Sequence, residues 1–502
     1  MTRKLIRIPE PTLLFRYGQA VEDPRDGLTL FGPLDEAKPY GIRAGIIGTR
    51  EGIAAYKKWV PRMLRPVACD PPISSRPPFP GFEAAFQIPW NPTPVLELVV
   101  EDLEIDAAIY QSDRHQRVYM AVDLYADRII RANRDEDAKA DLWFVIIPDR
   151  IRQHCRPRSS VQASVRISSE QIVSPGAAAN VRDSPFMFAA MNQAAEPYQF
   201  EPHFHNQLKS RLLNEQVLTQ IIQHKTISDP LDWSERERKS LAKMQSQIAW
   251  NLSTAAFYKS GGRPWKLNGI RSSVCYLGIV FKQDQRGKDV RNACCAAQMF
   301  LDSGDGVVFK GAVGPWYNPL RGDYHLSYGA AKELISVALQ SYRDRFNAPP
   351  KEMFIHGRVR FGDEEWQGFL DAAGSSTAVV GVTIGEGDRL KLFSTNTVPV
   401  LRGIAWIGTE RNALLWTRGF VPRLRTYPGL EVPNPLNVGI SRGDADINVV
   451  LADVLALTKL NYNACIYADG LPVTLKFANA VGEILTAGPV KGTPPLPFKH
   501  YI

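Results

Sequence analysis

Residues 272–282 read SSVCYLGIVFK, 292–300 NACCAAQMF and 306–312 GVVFKGA. Each is a short, mostly apolar run, and the runs are separated by charged or glycine-containing connections, so they predict three adjacent buried strands. YGAAKELISVALQSYRDRF (328–346) follows and predicts a long helix, and KEMFIHG (351–357) predicts another strand with a helix after it. The β-rich half begins abruptly.

Immediately upstream lies DPLDWSERERKSLAKMQSQIAWNLSTAAFYKSGGRPW (229–265). Ser234 with Glu237 three residues on is a capping box, and Leu241, Met244, Ile248 and Leu252 give a helical stripe. Gly261-Gly262 and then Pro264 stop it, so the stretch predicts one long helix ending at Lys259. This places a boundary between 1–262 and 263–502. In the first of these halves GIRAGIIGT (41–49) runs into EGIAAYKKWVPRML, and ADLWFVIIPD (140–149) into RIRQHC. Strand–helix alternation of this kind predicts a doubly wound, Rossmann-like α/β domain. Gly45, Gly48 and Gly52 do not form G-x-G-x-x-G, and they predict a tight strand-to-helix turn instead of a dinucleotide site. The order of elements after residue 262 is that of a ribonuclease H-like domain, although other α/β folds share it.

HFHNQLKSRLLNEQVLTQ (203–220) reads as a helix, from the spacing of Leu208, Leu212, Val217 and Ile221. His205 and Lys209 then share a face near its start, where free N–H groups and the positive dipole end favour an anion such as phosphate. The alternative is a solvated basic face made of Lys209, Arg211 and Lys225.

Composition bounds the partners. With 502 residues, 44% hydrophobic and 22% charged, the chain has room for two or three packed domains. Sixty basic against 52 acidic residues give +8, which permits contact with a polyanion without requiring it. The six cysteines contain no C-x-x-C pair, so zinc and a disulfide framework are not expected. No signal-like segment and no run of about 18 apolar residues occurs, and the expected location is the cytoplasm.

Four blocks in order, EDPRDGLTLFGPL (22–34), HNQLKSRLLNEQVLTQ (205–220), IAWNLSTAAFYKSGGRPWKL (248–267) and LTKLNYNACIYADGLPVTLKFANAVGEILTAG (457–488), make the whole chain resemble a short prokaryotic Argonaute. The resemblance implies a Rossmann-like MID domain over 1–262, which holds a guide's 5′ end, and a ribonuclease H-like PIWI domain over 263–502. It leaves no room for N-terminal and PAZ domains. It also implies a 5′-phosphate clamp of His205 and Lys209 on one helix, Gln220 two turns further on, and Lys259 at the end of the next. In the family the C-terminal carboxylate approaches this phosphate through Mg²⁺, which implicates Ile502.

Two-metal cleavage needs several carboxylates around two Mg²⁺ ions. Where the resemblance expects the first acid, the strand CYLGIVFK carries Val280, and Asp284 lies too far on. No Glu occurs between Arg291 and Glu333, His356-Gly357 stand where an acid should follow the fourth strand, and Asn461 and Asn463 stand near the last position. Asp363, Glu364 and Glu365 in FGDEEW (361–366) suit the first turn of a helix better than a rearranged acidic site, and His325 and His356 read as isolated histidines without a role. The resemblance thus implies a sensor and not a nuclease. It would use a short guide RNA, a single-stranded DNA target and a partner carrying an APAZ region fused to a TIR, sirtuin-like or nuclease effector, in defence against plasmids or phage. The alternative is a guided endonuclease with a rearranged acidic site.

Overall fold

The computed structural model describes residues 4–35, 40–135, 137, 139–169, 173–178, 180–181, 184–269, 271–283, 292–301, 306–318, 320, 322–387, 390–395, 397–427, 429, 431–489 and 496–502. In the first half, strand β1 (Ala44–Gly48) lies between β2 (Leu96–Val99) and β3 (Leu142–Ile147), and β3 pairs on its far side with β4 (Thr219–Gln223), all parallel. AGIIG and LWFVII are buried at every position, as strands covered by helices on both faces must be. Helix α1 (Arg50–Met63) follows β1 directly, with the Thr49 hydroxyl accepting from Gly52 N–H at 3.1 Å, and α2 (Asp149–His154) follows β3.

The expected tight strand-to-helix turn is there, with only Thr49 between β1 and α1, and the glycines around it also serve packing. A Cβ on Gly45 would meet the Trp143 ring at 2.8 Å, one on Gly48 the Ile146 carbonyl at 2.8 Å, and one on Gly52 Ile146 Cγ2 at 2.9 Å. They let β3 and α1 approach closely.

The stretch 203–220 is not one helix. Helix α3 runs over Phe204–Leu213, Gln216 takes a left-handed φ of 53°, and Val217 N–H closes back on Leu212 C=O at 3.2 Å before β4 begins at Thr219. The β-branched Thr219, Ile221 and Ile222 prefer a strand beside β3 to two more helical turns. Leu208, Leu212 and Val217 nevertheless share one buried cluster, with Ile221 packed against it. The apolar spacing marked a common core reached from two elements. Burying a leucine here contributes about 1.5–3 kcal/mol.

The helix expected to end at Lys259 does so, but in two pieces. Helix α4 (Glu235–Leu241) starts on the Ser234–Glu237 capping box, a 3-10 turn takes Ala242–Met244, and α5 runs over Gln245–Lys259.

The second half holds the large sheet, ten strands among the described residues. Its centre is β5 (Val274–Gln283), β6 (Asn292–Leu301) and β7 (Gly306–Pro315), antiparallel in sequence order, with β8 (Glu352–Gly357) parallel to both β5 and β9 (Ala378–Glu386). Along β5 the side chains alternate between two cores. Cys275, Leu277 and Ile279 pack in one cluster with α6 (Tyr328–Phe346) and α7 (Asp363–Ala373), while Val274, Tyr276 and Val280 join the cluster that contains α8 (Val473–Thr486). A Cβ at Gly278 would meet Thr474 C=O at 2.0 Å, so this glycine lets α8 lie directly on the strand.

The chain's beginning joins this second sheet. Lys4–Arg7 pairs antiparallel with Ile404–Ile407, and Glu10 is held between Arg402 at 3.0 Å and Lys459 at 2.6 Å. Cys69, Cys155, Cys275 and Cys465 are free and buried. Among the described residues no helix is long and apolar enough to cross a membrane.

Candidate functional site

Lys209 lies on α3 and Lys259 at the end of α5, and they are 3% and 1% exposed. Lys209 Nζ donates to the main-chain oxygen of Ile502, and Lys259 Nζ donates to Thr219 C=O at 3.0 Å and to Gln220 Oε1 at 2.7 Å. The charge of each lysine acts on the buried imidazole of His205. The structure therefore brings all five expected residues together. Gln220 arrives from β4 instead of the α3 helix, and the β4–α5 contact to Lys259 seats it.

Burial, with no Asp or Glu side chain among the lysines' partners, dominates the electrostatics. It lowers the Lys209 ammonium to about 7, and burial together with the charge of Lys209 holds Lys259 well below the ordinary lysine value. Burial and then Lys209 lower His205 to about 3. The neighbouring basic residues behave differently. Arg211 pairs with Asp123 and Asp127 at 2.6 and 3.1 Å, and Lys225 pairs with Glu237. Both are neutralised by carboxylates, Lys225 at the surface as a charge run usually is and Arg211 half-buried. Lys209 and Lys259 have no Asp or Glu side chain among their partners, and an anion would add countercharge there.

His500 belongs to the same cluster and was missed in the sequence. Burial, then the charges of Lys499, Lys209 and Lys259, lower its imidazole to about 4, and its buried Nδ1 has no hydrogen-bond partner among the described residues. The available signal was its place two residues before Ile502. A cavity of 350 Å³ opens beside the cluster, lined by Arg152, Arg156, His203, His205, Asn206 and Gln223 among others.

The expected Mg²⁺ would lie between a guide phosphate and Ile502, whose main-chain oxygen accepts from Lys209 Nζ.

On the ribonuclease H-like half, Val280 and Gly357 line one cavity of 220 Å³, and Asn479 from α8 completes it. Asn461 and Asn463 do not line it. Asn461 is buried elsewhere, donating to Asp469 at 2.9 Å and accepting from Asn463 N–H at 3.0 Å. Asn479 was missed because only the packing of α8 on Gly278 shows which of its faces meets the strand. Asp323 and Glu365 also reach this cavity, with His325 between them at 3.0 and 2.7 Å, so His325 is not isolated. Glu365 also caps α7, accepting from Gly362 N–H at 2.6 Å. Asp363 is an exposed first-turn residue of α7 paired with Arg442. His356 is a buried neutral histidine bonded to Thr474 Oγ1 at 2.9 Å, its imidazole lowered by burial to about 3. Asp284 lies outside the described residues.

A parallel four-stranded sheet followed by a large sheet with ribonuclease H order, carrying a buried basic cluster where the two halves meet, is the MID–PIWI architecture of Argonaute proteins. The solved structures it resembles say the same. Clostridium butyricum Argonaute, solved with a guide DNA and a 19-mer target DNA, matches with a TM-score of 0.64 at 13% identity over 98% of this chain and 54% of the other. Drosophila Piwi matches with a TM-score of 0.57 at 14% identity over 99% and 56%. The Argonaute of A. aeolicus matches with a TM-score of 0.52 at 13% identity over 97% and 53%. The chain spans about half the length of these structures. No protein-family model matches the sequence, and no curated protein matches it.

Proposed function

We propose that this chain is a guide-loaded nucleic-acid sensor. It holds a short strand, an RNA by the resemblance, through its 5′ phosphate at Lys209, Lys259, His205 and Gln220, with His500 as an added donor, and pairs it with single-stranded DNA. The observation that carries this reading is the pair of buried lysines with no Asp or Glu side chain among their partners. A terminal phosphate brings up to two negative charges and several acceptor oxygens to such a place, and a backbone phosphate brings one charge. The guide and target bound to the Clostridium butyricum protein support it.

Val280 and Gly357, where the resemblance expects acids, and the pairing of Asp323 and Glu365 in the same cavity with His325, support a PIWI half that does not cut. Pairing would then be reported to a partner, an APAZ-effector protein with a TIR, sirtuin-like or nuclease domain, in cytoplasmic defence against plasmids or phage. The test is to isolate the protein from cells, sequence any short strands it carries, and compare its affinity for 5′-phosphorylated and 5′-hydroxyl strands. Absence of a 5′-phosphate preference would overturn the guide reading. A defined cut in a paired target by the pure protein would overturn the sensor reading.

A further inference from the structure

The hairpin between Leu13–Leu14 and Ala20–Val21 turns through Arg16–Gly18. Gln19 N–H closes the turn on Arg16 C=O at 3.3 Å, and Tyr17 and Gly18 have φ of 59° and 71°. Positive φ at both central residues is the pattern that Asn, Asp and Gly normally fill. Tyrosine there strains the backbone, and the ring returns no packing energy because Tyr17 is 74% exposed.

One cation lies beside the ring. The Arg16 guanidinium lies 5.3 Å from the ring centroid and is fixed by Gln87 Oε1, and Gln87 also sits at positive φ, 57°. One face of the ring is therefore near a cation, and the ring is otherwise open to solvent. The turn sits on the small sheet in which Leu13 pairs with Leu267, eight residues after Lys259, so it is tied to the chain leaving the basic cluster.

We propose that Tyr17 and Arg16 form a stacking contact for one nucleobase of the bound single strand, the base on the ring and the adjoining phosphodiester on the guanidinium. A nucleotide offers both groups in one residue, and aromatic stacking tolerates any base. The contact rests on the guide-binding reading for the identity of its strand.

The test uses the full chain with oligonucleotides of about 20 nucleotides carrying 2-aminopurine at successive positions, each with a 5′ phosphate or a 5′ hydroxyl. The parent should quench the probe at one or two adjacent positions. Tyr17→Ala should remove that quench and weaken binding about five- to tenfold, and Tyr17→Trp should keep both. Tyr17→Gly should lose the quench like the alanine variant and yet melt at a higher temperature than the parent, because glycine relieves the strained φ. Unchanged quenching and affinity in the alanine and glycine variants would overturn the proposal while a 5′-phosphate preference leaves guide binding standing. Because the quench is also read on 5′-hydroxyl strands, losing that preference would sink the guide reading and leave the contact to its own signal. An alanine effect confined to retention of a copurifying protein would assign the turn to that protein and overturn the proposal.

Discussion

Lys209 Nζ donates to the main-chain oxygen of Ile502, a hydrogen bond between residues 293 apart in the sequence. It joins the helix of the Rossmann-like half to the end of the ribonuclease H-like half, so an anion bound at Lys209 would touch both.

Replacing Lys209 or Lys259 by Met should separate phosphate recognition from folding. Charge-assisted contacts to phosphate contribute about 1.5–3 kcal/mol each, so each variant should lose roughly 10- to 150-fold in affinity for a 5′-phosphorylated strand and far less for a 5′-hydroxyl one. Without ligand, the Lys209 variant loses its bond to Ile502 but no longer buries an ammonium, so its melting temperature should stay close to the parent's. Filter binding with both strands and a melting curve check this. Equal losses for both strands would reduce the cluster to a general basic surface.

Affinity for the phosphorylated strand should fall as pH rises through about 7, where the free protein's Lys209 loses its proton. Loading near that pH should take up protons, visible as a dependence of the binding heat on the buffer's ionisation enthalpy. The sign for stability follows from the same shift. Between about 7 and the ordinary value of 10.5 the unfolded chain holds a proton at this lysine that the folded chain does not, so the lysine's contribution makes the ligand-free protein more stable as pH rises across that window. A binding profile flat from pH 6 to 8 would remove Lys209 from the phosphate.

Adding single carboxylates to the cavity on the large sheet should not create a nuclease. Val280→Asp, Gly357→Asp and Asn479→Asp, each alone, should leave Mg²⁺-dependent target cutting undetectable, because two ions need several negative ligands at once. Gly357→Asp should also lower the melting temperature, since a Cβ there meets the Phe361 ring at 2.9 Å. Cutting by any single variant would show that the remaining ligands are already in place.

Glu10→Gln should destabilise the fold by about 3–5 kcal/mol, because it leaves Arg402 and Lys459 buried without their countercharge. Burial raises the Glu10 carboxyl, but Arg402 and Lys459 outweigh it and hold the group below its ordinary value. This stabilisation is present above the ordinary carboxyl value and is lost as pH falls through the lowered one. Denaturant titrations of parent and variant at pH 7 and in acid should converge as the pH drops. A constant gap would place the effect elsewhere.

The sequence by itself determined the elements and their order. Apolar runs of strand length, the Ser234–Glu237 capping box and the stop after Lys259 are local signals, and the strands at 274–283, 292–301, 306–315 and 352–357 follow from them. His205, Lys209, Gln220 and Lys259 were also legible through the resemblance. Only the tertiary structure decided how they meet. Gln220 reaches Lys259 because 219–223 pairs beside β3, and a propensity for strand over helix in so short a run is settled by the neighbouring strand. Asn479 and His500 carry no local mark, and each gains its place from packing, one through Gly278 and the other beside two buried lysines. Burial also gave the site its character. A lysine in the sequence is an ordinary cation, and it becomes a candidate for holding an anion when the fold removes its water and sets no Asp or Glu side chain against it.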